Sequence, residues 1–191
     1  LYQSVKYIIK NNIEGDFAEC GVWKGGSCML IAYTLMNSGI DKKQIFLYDT
    51  FEGMVRPSEL DGKEGMSRWE ANKISETQNK WCYASFEEVK TNMEKTGYPF
   101  EKVKMIKGKV EETIPATIPE RLSLLRLDTD WYESTRHELI HLYPVLLKHG
   151  VLIIDDYGAW QGARKAVDEY FNPVPYAFLF RVDPFRRIII K

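Results

Sequence analysis

Short apolar runs alternate with amphipathic stretches along this chain, the rhythm of βαβ units and of a mostly parallel sheet. An amphipathic opening helix (YQSVKYIIKNN) leads to a strand at Asp16–Cys20, a glycine-bearing turn and a helix near residues 28–36. A second strand is predicted at 44–48. Residues 52–80 carry Gly53, Pro57, Gly62 and Gly65 and mix charge signs without a period. They predict a long loop or lid over about 54–81, with some helix near 69–80. Next come a helix near 86–96 and strands at 103–106 and Leu122–Leu127. A helix over 133–147 follows, with Leu139, Leu142, Tyr143 and Leu146 on one face. The last parallel strand is expected at 151–154, and a helix at 162–171 ends before Pro173. Segments 176–181 and 186–190 predict a hairpin turning at Asp183 and Pro184, an antiparallel edge on the parallel sheet. Because the chain opens inside a helix, a few residues are expected to precede Leu1.

At 191 residues, one α/β domain is expected. Lys and Arg number 26 against 27 Asp and Glu, so the net charge of -1 makes no case for nucleic acid or an anionic membrane as partner. Small-molecule partners are expected instead. The three cysteines fit no zinc spacing and suit a reducing cytoplasm. No apolar run reaches the roughly 20 residues of a membrane helix. Oligomeric state is not encoded in any of these features, and a homo-oligomer is compatible with them.

The chemistry-bearing residues gather at expected strand ends. Between Leu124 and Tyr157 two apolar strands each end in paired aspartates, Asp128 with Asp130 and Asp155 with Asp156. In an open parallel sheet these ends share one crevice, and clustered anions favour a hard divalent cation such as Mg²⁺, Ca²⁺ or Mn²⁺. Asp128, Asp155 and Asp156 are the expected ligands, and Asp130 is the spare carboxylate able to act as base; a solvated acidic rim is the alternative. Glu19-Cys-Gly-Val-Trp-Lys-Gly-Gly-Ser27, between a strand and a helix, suits a ligand with a carboxylate and an adenosine, or else only a tight turn. Asp49 ends the second strand, where it can hold ribose hydroxyls or cap a turn. Lys107 to Glu112 read as a solvated charged turn, with an adenine-contacting turn as the alternative. His141 and His149 suit surface or packing roles, and His137 is the next candidate base after Asp130. Trp131 and Trp160 are placed to flank a pocket mouth.

These residues are similar to the macrocin O-methyltransferase family, S-adenosylmethionine-dependent, metal-assisted enzymes that methylate sugar hydroxyls of antibiotics. The family's GDxxExGVxxGG appears as GDFAECGVWKGG, its DxFxG as DTFEG from Asp49, its RxDxDxYEST as RLDTDWYEST from Arg126 and its DDY at Asp155. GARKAVDEYF also matches, so the resemblance runs from Gly15 to Phe171. It implies a class I methyltransferase, Rossmann-like sheet in the order 3-2-1-4-5-7-6 with an antiparallel edge strand. It also implies bound S-adenosyl-L-methionine, Mg²⁺ at the aspartates, a base near Asp130 and a small-molecule hydroxyl acceptor from natural-product chemistry. Glu19, Gly21, Gly25, Gly26 and Ser27 would hold the methionine half of the donor. Asp49 would hold its ribose, with Thr50 and Asp128 alongside. The chain departs from the family at Thr129, where glycine is usual, at Cys20, and through the lid and hairpin. The rival readings are a nicotinamide-dependent oxidoreductase and a non-catalytic adenosine-ligand protein.

Overall fold

In a computed structural model, residues 1–173 and 178–191 are described. They form a seven-stranded sheet in the order β3-β2-β1-β4-β5-β7-β6. The strands are β1 Asp16–Cys20, β2 Ile45–Asp49, β3 Val103–Lys107, β4 Leu122–Leu127, β5 Leu146–Ile154, β6 Phe180–Arg181 and β7 Arg187–Ile190. β1 to β5 are parallel; β7 runs antiparallel to β5 and to β6. This is the expected sheet. The start of the first predicted hairpin strand, at 176, lies outside the described residues.

Both faces of the sheet are covered, and the alternation along β1 shows how. Phe17 packs with α1 (Tyr2–Lys10), α2 (Gly26–Met36) and α4 (Phe86–Glu94) on one face. Its neighbour Ala18 packs with α6 (Tyr132–Leu142) and α7 (Gln161–Phe171) on the other. β4, central in this arrangement, is buried along its whole length, which is why it reads as an unbroken apolar run apart from Ser123 and Arg126.

Three expectations are corrected. The helix expected near 69–80 is instead α3, Gly62–Ala71. It follows a 3₁₀ turn, Glu59–Asp61, started by a capping box in which Leu60 N–H donates to Ser58 Oγ and Ser58 N–H to Asp61 Oδ2. Beyond α3, buried Asn79 donates to the Trp69 carbonyl and accepts from Trp81 N–H, which turns the chain back. The helix expected over 133–147 stops at Leu142, with Tyr143 still in helical backbone as its cap, because Pro144 has no N–H with which to carry the helical ladder on. β5 therefore starts at Leu146, and its regular part is the expected 151–154, with a register shift against β4 before it. The charged turn after β3 contains one helical turn, α5 Val110–Thr113.

The segment expected to be a lid is anchored at several points. Trp69 and Trp131 indole N–H groups donate to the carbonyls of Met54 and Val55, and buried Asp61 accepts the Tyr132 N–H at 2.7 Å. A Cβ on Gly162 would lie 1.8 Å from Asp61 Oδ1, so glycine there is what lets this carboxylate reach the start of α6. Among the described residues, no helix is long and apolar enough to cross a membrane.

Candidate active site

Register brings the carboxyl ends of four strands side by side. Cys20 pairs with Tyr48 and with Leu127, and Leu127 with Ile154, so the chain leaves β1, β2, β4 and β5 along one edge. Asp128 N–H then donates to the Cys20 carbonyl at 2.9 Å and Asp155 N–H to that of Leu127 at 3.0 Å. Gly21, with φ +79°, permits a close approach of the two turns: a Cβ there would lie 2.1 Å from the Asp128 carbonyl oxygen.

Along this edge lies a cleft of about 650 Å³, part of it open to solvent. Gly21, Asp49, Thr50 and Asp128 line it, together with Trp131 and the 108–111 turn. Lys109 and Glu111 of that turn, for which a solvated role was favoured over a ligand contact, form part of the wall. Asp49 accepts N–H donors from Val22 and Phe51 at 2.7 Å and from Trp23 at 3.1 Å. It therefore fixes the glycine loop while facing the cleft. Burial pushes its pKa up, and those backbone donors oppose the shift.

The other residues of the glycine loop are placed differently. Gly25 (φ +81°) caps α2, and Gly26 has open space where a side chain would be; with Ser27 they make the start of α2, outside the cleft lining. Glu19 is only 1% exposed. It is directly opposite Arg126 across β1 and β4 and ion-pairs with it, while its other oxygen accepts from the Cys28 thiol at 2.8 Å. It thus sits under the site rather than in it, because a buried cation requires a buried anion.

Arg126 is the residue that sequence reasoning left without a role. It ion-pairs with Glu19, Asp128 and Asp155, one cation among three carboxylates. Asp155 is claimed twice, by Arg126 Nη2 and by Arg186 Nε of the hairpin, each at 2.7 Å. The expected trio of Asp128, Asp155 and Asp156 is therefore corrected: the carboxylates that converge are Asp128, Asp130 and Asp156, with one oxygen of each within 4.8 Å of the others. Asp155 is turned instead toward the two guanidinium groups.

The converging group is short of positive charge. Burial pushes Asp130 up to about 7, against hydrogen bonds from Asp156 and the Trp160 indole; burial and Asp130 push Asp156 up to about 8. Asp128 is raised too, by burial and neighbouring carboxylates, despite Arg126. Asp156 Oδ2 is buried without a hydrogen-bond partner. Crowded oxygens of this kind fit a hard divalent cation. Asp130 is held in left-handed backbone (φ +71°), a sparsely populated conformation for a non-glycine residue and one that recurs at functional sites.

Without an ion, these shifts set a pH dependence of stability. The folded chain keeps protons on Asp130 and Asp156 that the unfolded chain releases above about pH 4, so the folded state binds more protons and stability falls as pH rises toward 8. In EDTA, the thermal midpoint should fall between pH 5 and 8 and the fall should be shallower in Asp156→Asn. Parallel slopes in the two proteins would contradict the assignment.

His137 is not part of this group. Its Nε2 lies 2.9 Å from the Ile114 carbonyl and its ring packs on His141 at 4.4 Å, so it serves the packing of α6 on the chain after α5. Of the two tryptophans expected at the pocket mouth, Trp131 lines the cleft, and with Trp160 and Trp81 it forms a cluster with ring centroids 5.2–5.7 Å apart. Two departures from the expected family pattern, Cys20 and Thr129, both border Glu138 of α6.

The chain is 34% identical over 168 residues to demethyldecarbamoylnovobiocin O-methyltransferase of Streptomyces niveus, covering 88% of this chain and 62% of that protein. It is 31% identical over 170 residues to mycinamicin III 3''-O-methyltransferase of Micromonospora griseorubida, covering 89% and 65%. The chain thus spans just under two thirds of the length of these curated relatives. The solved structure of the O-methyltransferase NovP superposes with a TM-score of 0.85 at 30% identity, over 100% of this chain and 77% of that one. The calicheamicin methyltransferase CalS11, 16% identical with a TM-score of 0.68, covers 99% of this chain and 77% of its own, and shares the fold. Residues 1–175 match the family described as Macrocin-O-methyltransferase (TylF), and the chain belongs to that family.

Proposed function

We propose that this chain is the catalytic unit of an S-adenosylmethionine-dependent, metal-assisted O-methyltransferase acting on a hydroxyl of a small sugar-bearing or natural-product acceptor. The observation that carries the reading is the convergence of Asp128, Asp130 and Asp156 beside a cleft bordered by Asp49. The relatives' names, which specify O-methylation of antibiotics and their precursors, support the acceptor class.

Asp128 and Asp156 would hold a divalent cation such as Mg²⁺, which binds through one or two carboxylates and keeps other positions for water or substrate. When bound, such an ion lowers the pKa of a hydroxyl beside it. Asp130, the third carboxylate of the group, would accept the acceptor's proton. S-adenosylmethionine supplies a methyl on a sulfonium, transferred by in-line displacement, so the protein's task is alignment. Asp49 and the 108–111 turn would seat the adenosine. Trp81, Trp131 and Trp160, with the anchored segment 54–81, would wall the acceptor side and exclude water.

Donor binding is tested by calorimetry. Asp49→Ala should remain folded and bind S-adenosylhomocysteine about 1.5–3 kcal/mol more weakly, the scale of hydrogen bonds to a charged group. Unchanged affinity would remove Asp49 from the donor site. Binding of NAD in place of S-adenosylhomocysteine would favour an oxidoreductase.

A further inference from the structure

Glu138 is wholly buried on α6 and has no part in the chemistry above. Its Oε1 accepts the Thr129 hydroxyl at 2.9 Å, and its Oε2 has no hydrogen-bond partner. An apolar residue at this place would avoid the cost of burying a half-satisfied acid, so the acid needs a reason. Thr129 supplies one. It is the residue between Asp128 and Asp130, in the turn whose next residue is held at positive φ. Two backbone hydrogen bonds restrain this turn, Asp128 N–H to the Cys20 carbonyl and Trp131 N–H to the Thr129 carbonyl. Neither fixes its rotation about the strand axis; a side-chain tether into the helix behind it does.

We propose that Glu138 is a positioning residue: through the Thr129 hydroxyl it holds the Asp128–Asp130 turn so that both carboxylates converge on Asp156. The inference rests on the metal-assisted reading; Glu138 itself is outside the cleft lining and acts through Thr129. A neutral acceptor would do the same work, since the bond requires only a carbonyl oxygen facing Thr129. This separates tethering from charge.

The test is Mn²⁺ affinity by electron paramagnetic resonance, with far-UV circular dichroism to confirm folding. Thr129→Val and Glu138→Leu should each weaken Mn²⁺ binding about fivefold, the loss expected for one hydrogen bond. Combining them should be no worse than the weaker single variant, because both remove one interaction. Glu138→Gln, which keeps a carbonyl, should stay within about twofold of the parent. If Glu138→Leu does not fold, Thr129→Val and Glu138→Gln decide. Parental affinity in folded Thr129→Val overturns the proposal, as does a Glu138→Gln protein that binds no better than Thr129→Val. A parent chain that binds no Mn²⁺ overturns the metal-assisted reading itself and this inference with it.

Discussion

Asp130→Asn should fold, bind S-adenosylhomocysteine and Mn²⁺, and lose roughly 10²–10⁴ in kcat, the range for a positioned general base. The argument is local. An amide keeps the shape of the carboxyl but cannot take a proton. Asp156→Asn should instead weaken ion binding and turnover together, since it removes one carboxylate from a group with a buried, unpartnered oxygen at that residue. The measurement is methyl transfer to a sugar-bearing acceptor with EDTA, then with Mg²⁺ restored, for parent and both variants. Undiminished activity in EDTA would end the metal-assisted mechanism, and a near-parental Asp130→Asn would place the base elsewhere. His137 is no substitute, being bound to the Ile114 carbonyl.

The strands bounded by charge changes were legible in the sequence. Asp16–Cys20 and Leu122–Leu127 came out at their observed limits because apolar alternation stops at a glycine turn and at Asp128. Between β2 and α4 the signals were polar rather than periodic. The start of α3 is written in Ser58 and Asp61, and its stop in a buried Asn79 whose partners lie ten residues back and two ahead. Hydrophobic periodicity does not register such hydrogen bonds. Pro144 was visible, but the apolar face of α6 continues in register through Leu146 and masked the break.

The site divides along the same physical line. Asp49, Asp128, Asp130 and Asp156 could be placed at one edge because strand ends in a parallel sheet converge whatever the register. Which carboxylate pairs with which cation depends on register and on the hairpin, neither of which sequence spacing fixes. Asp155 was therefore misplaced, since Arg186, 31 residues further along the chain, claims it. Glu19 was assigned to the donor because it lies in the glycine motif, whereas its neighbour across the sheet is Arg126. A lone arginine in an apolar strand was the available signal: a cation there must find a buried anion, and the parallel neighbour strand offers one.

That pairing carries the largest stability effect to be expected in the molecule. Arg126→Met should lower the free energy of unfolding by about 3–5 kcal/mol, the cost of stranding a buried charge whose partner is gone. Glu19 then has the Cys28 thiol as its remaining side-chain hydrogen bond, in a place 1% exposed, and it protonates rather than stay charged. The loss reaches the site as well, because Asp128 and Asp155 lose the same guanidinium and their repulsion rises. Denaturant titration checks the number, and the double variant Arg126→Met, Glu19→Gln separates the causes. Replacing the acid removes the stranded charge but not the carboxylate repulsion above it, so the double variant should recover part of the lost stability and none of the ion-site geometry. Equal stability of the single and double variants would show that Glu19 is not the group Arg126 neutralises. A full recovery of both stability and Mn²⁺ affinity would show that Asp128 and Asp155 do not depend on Arg126.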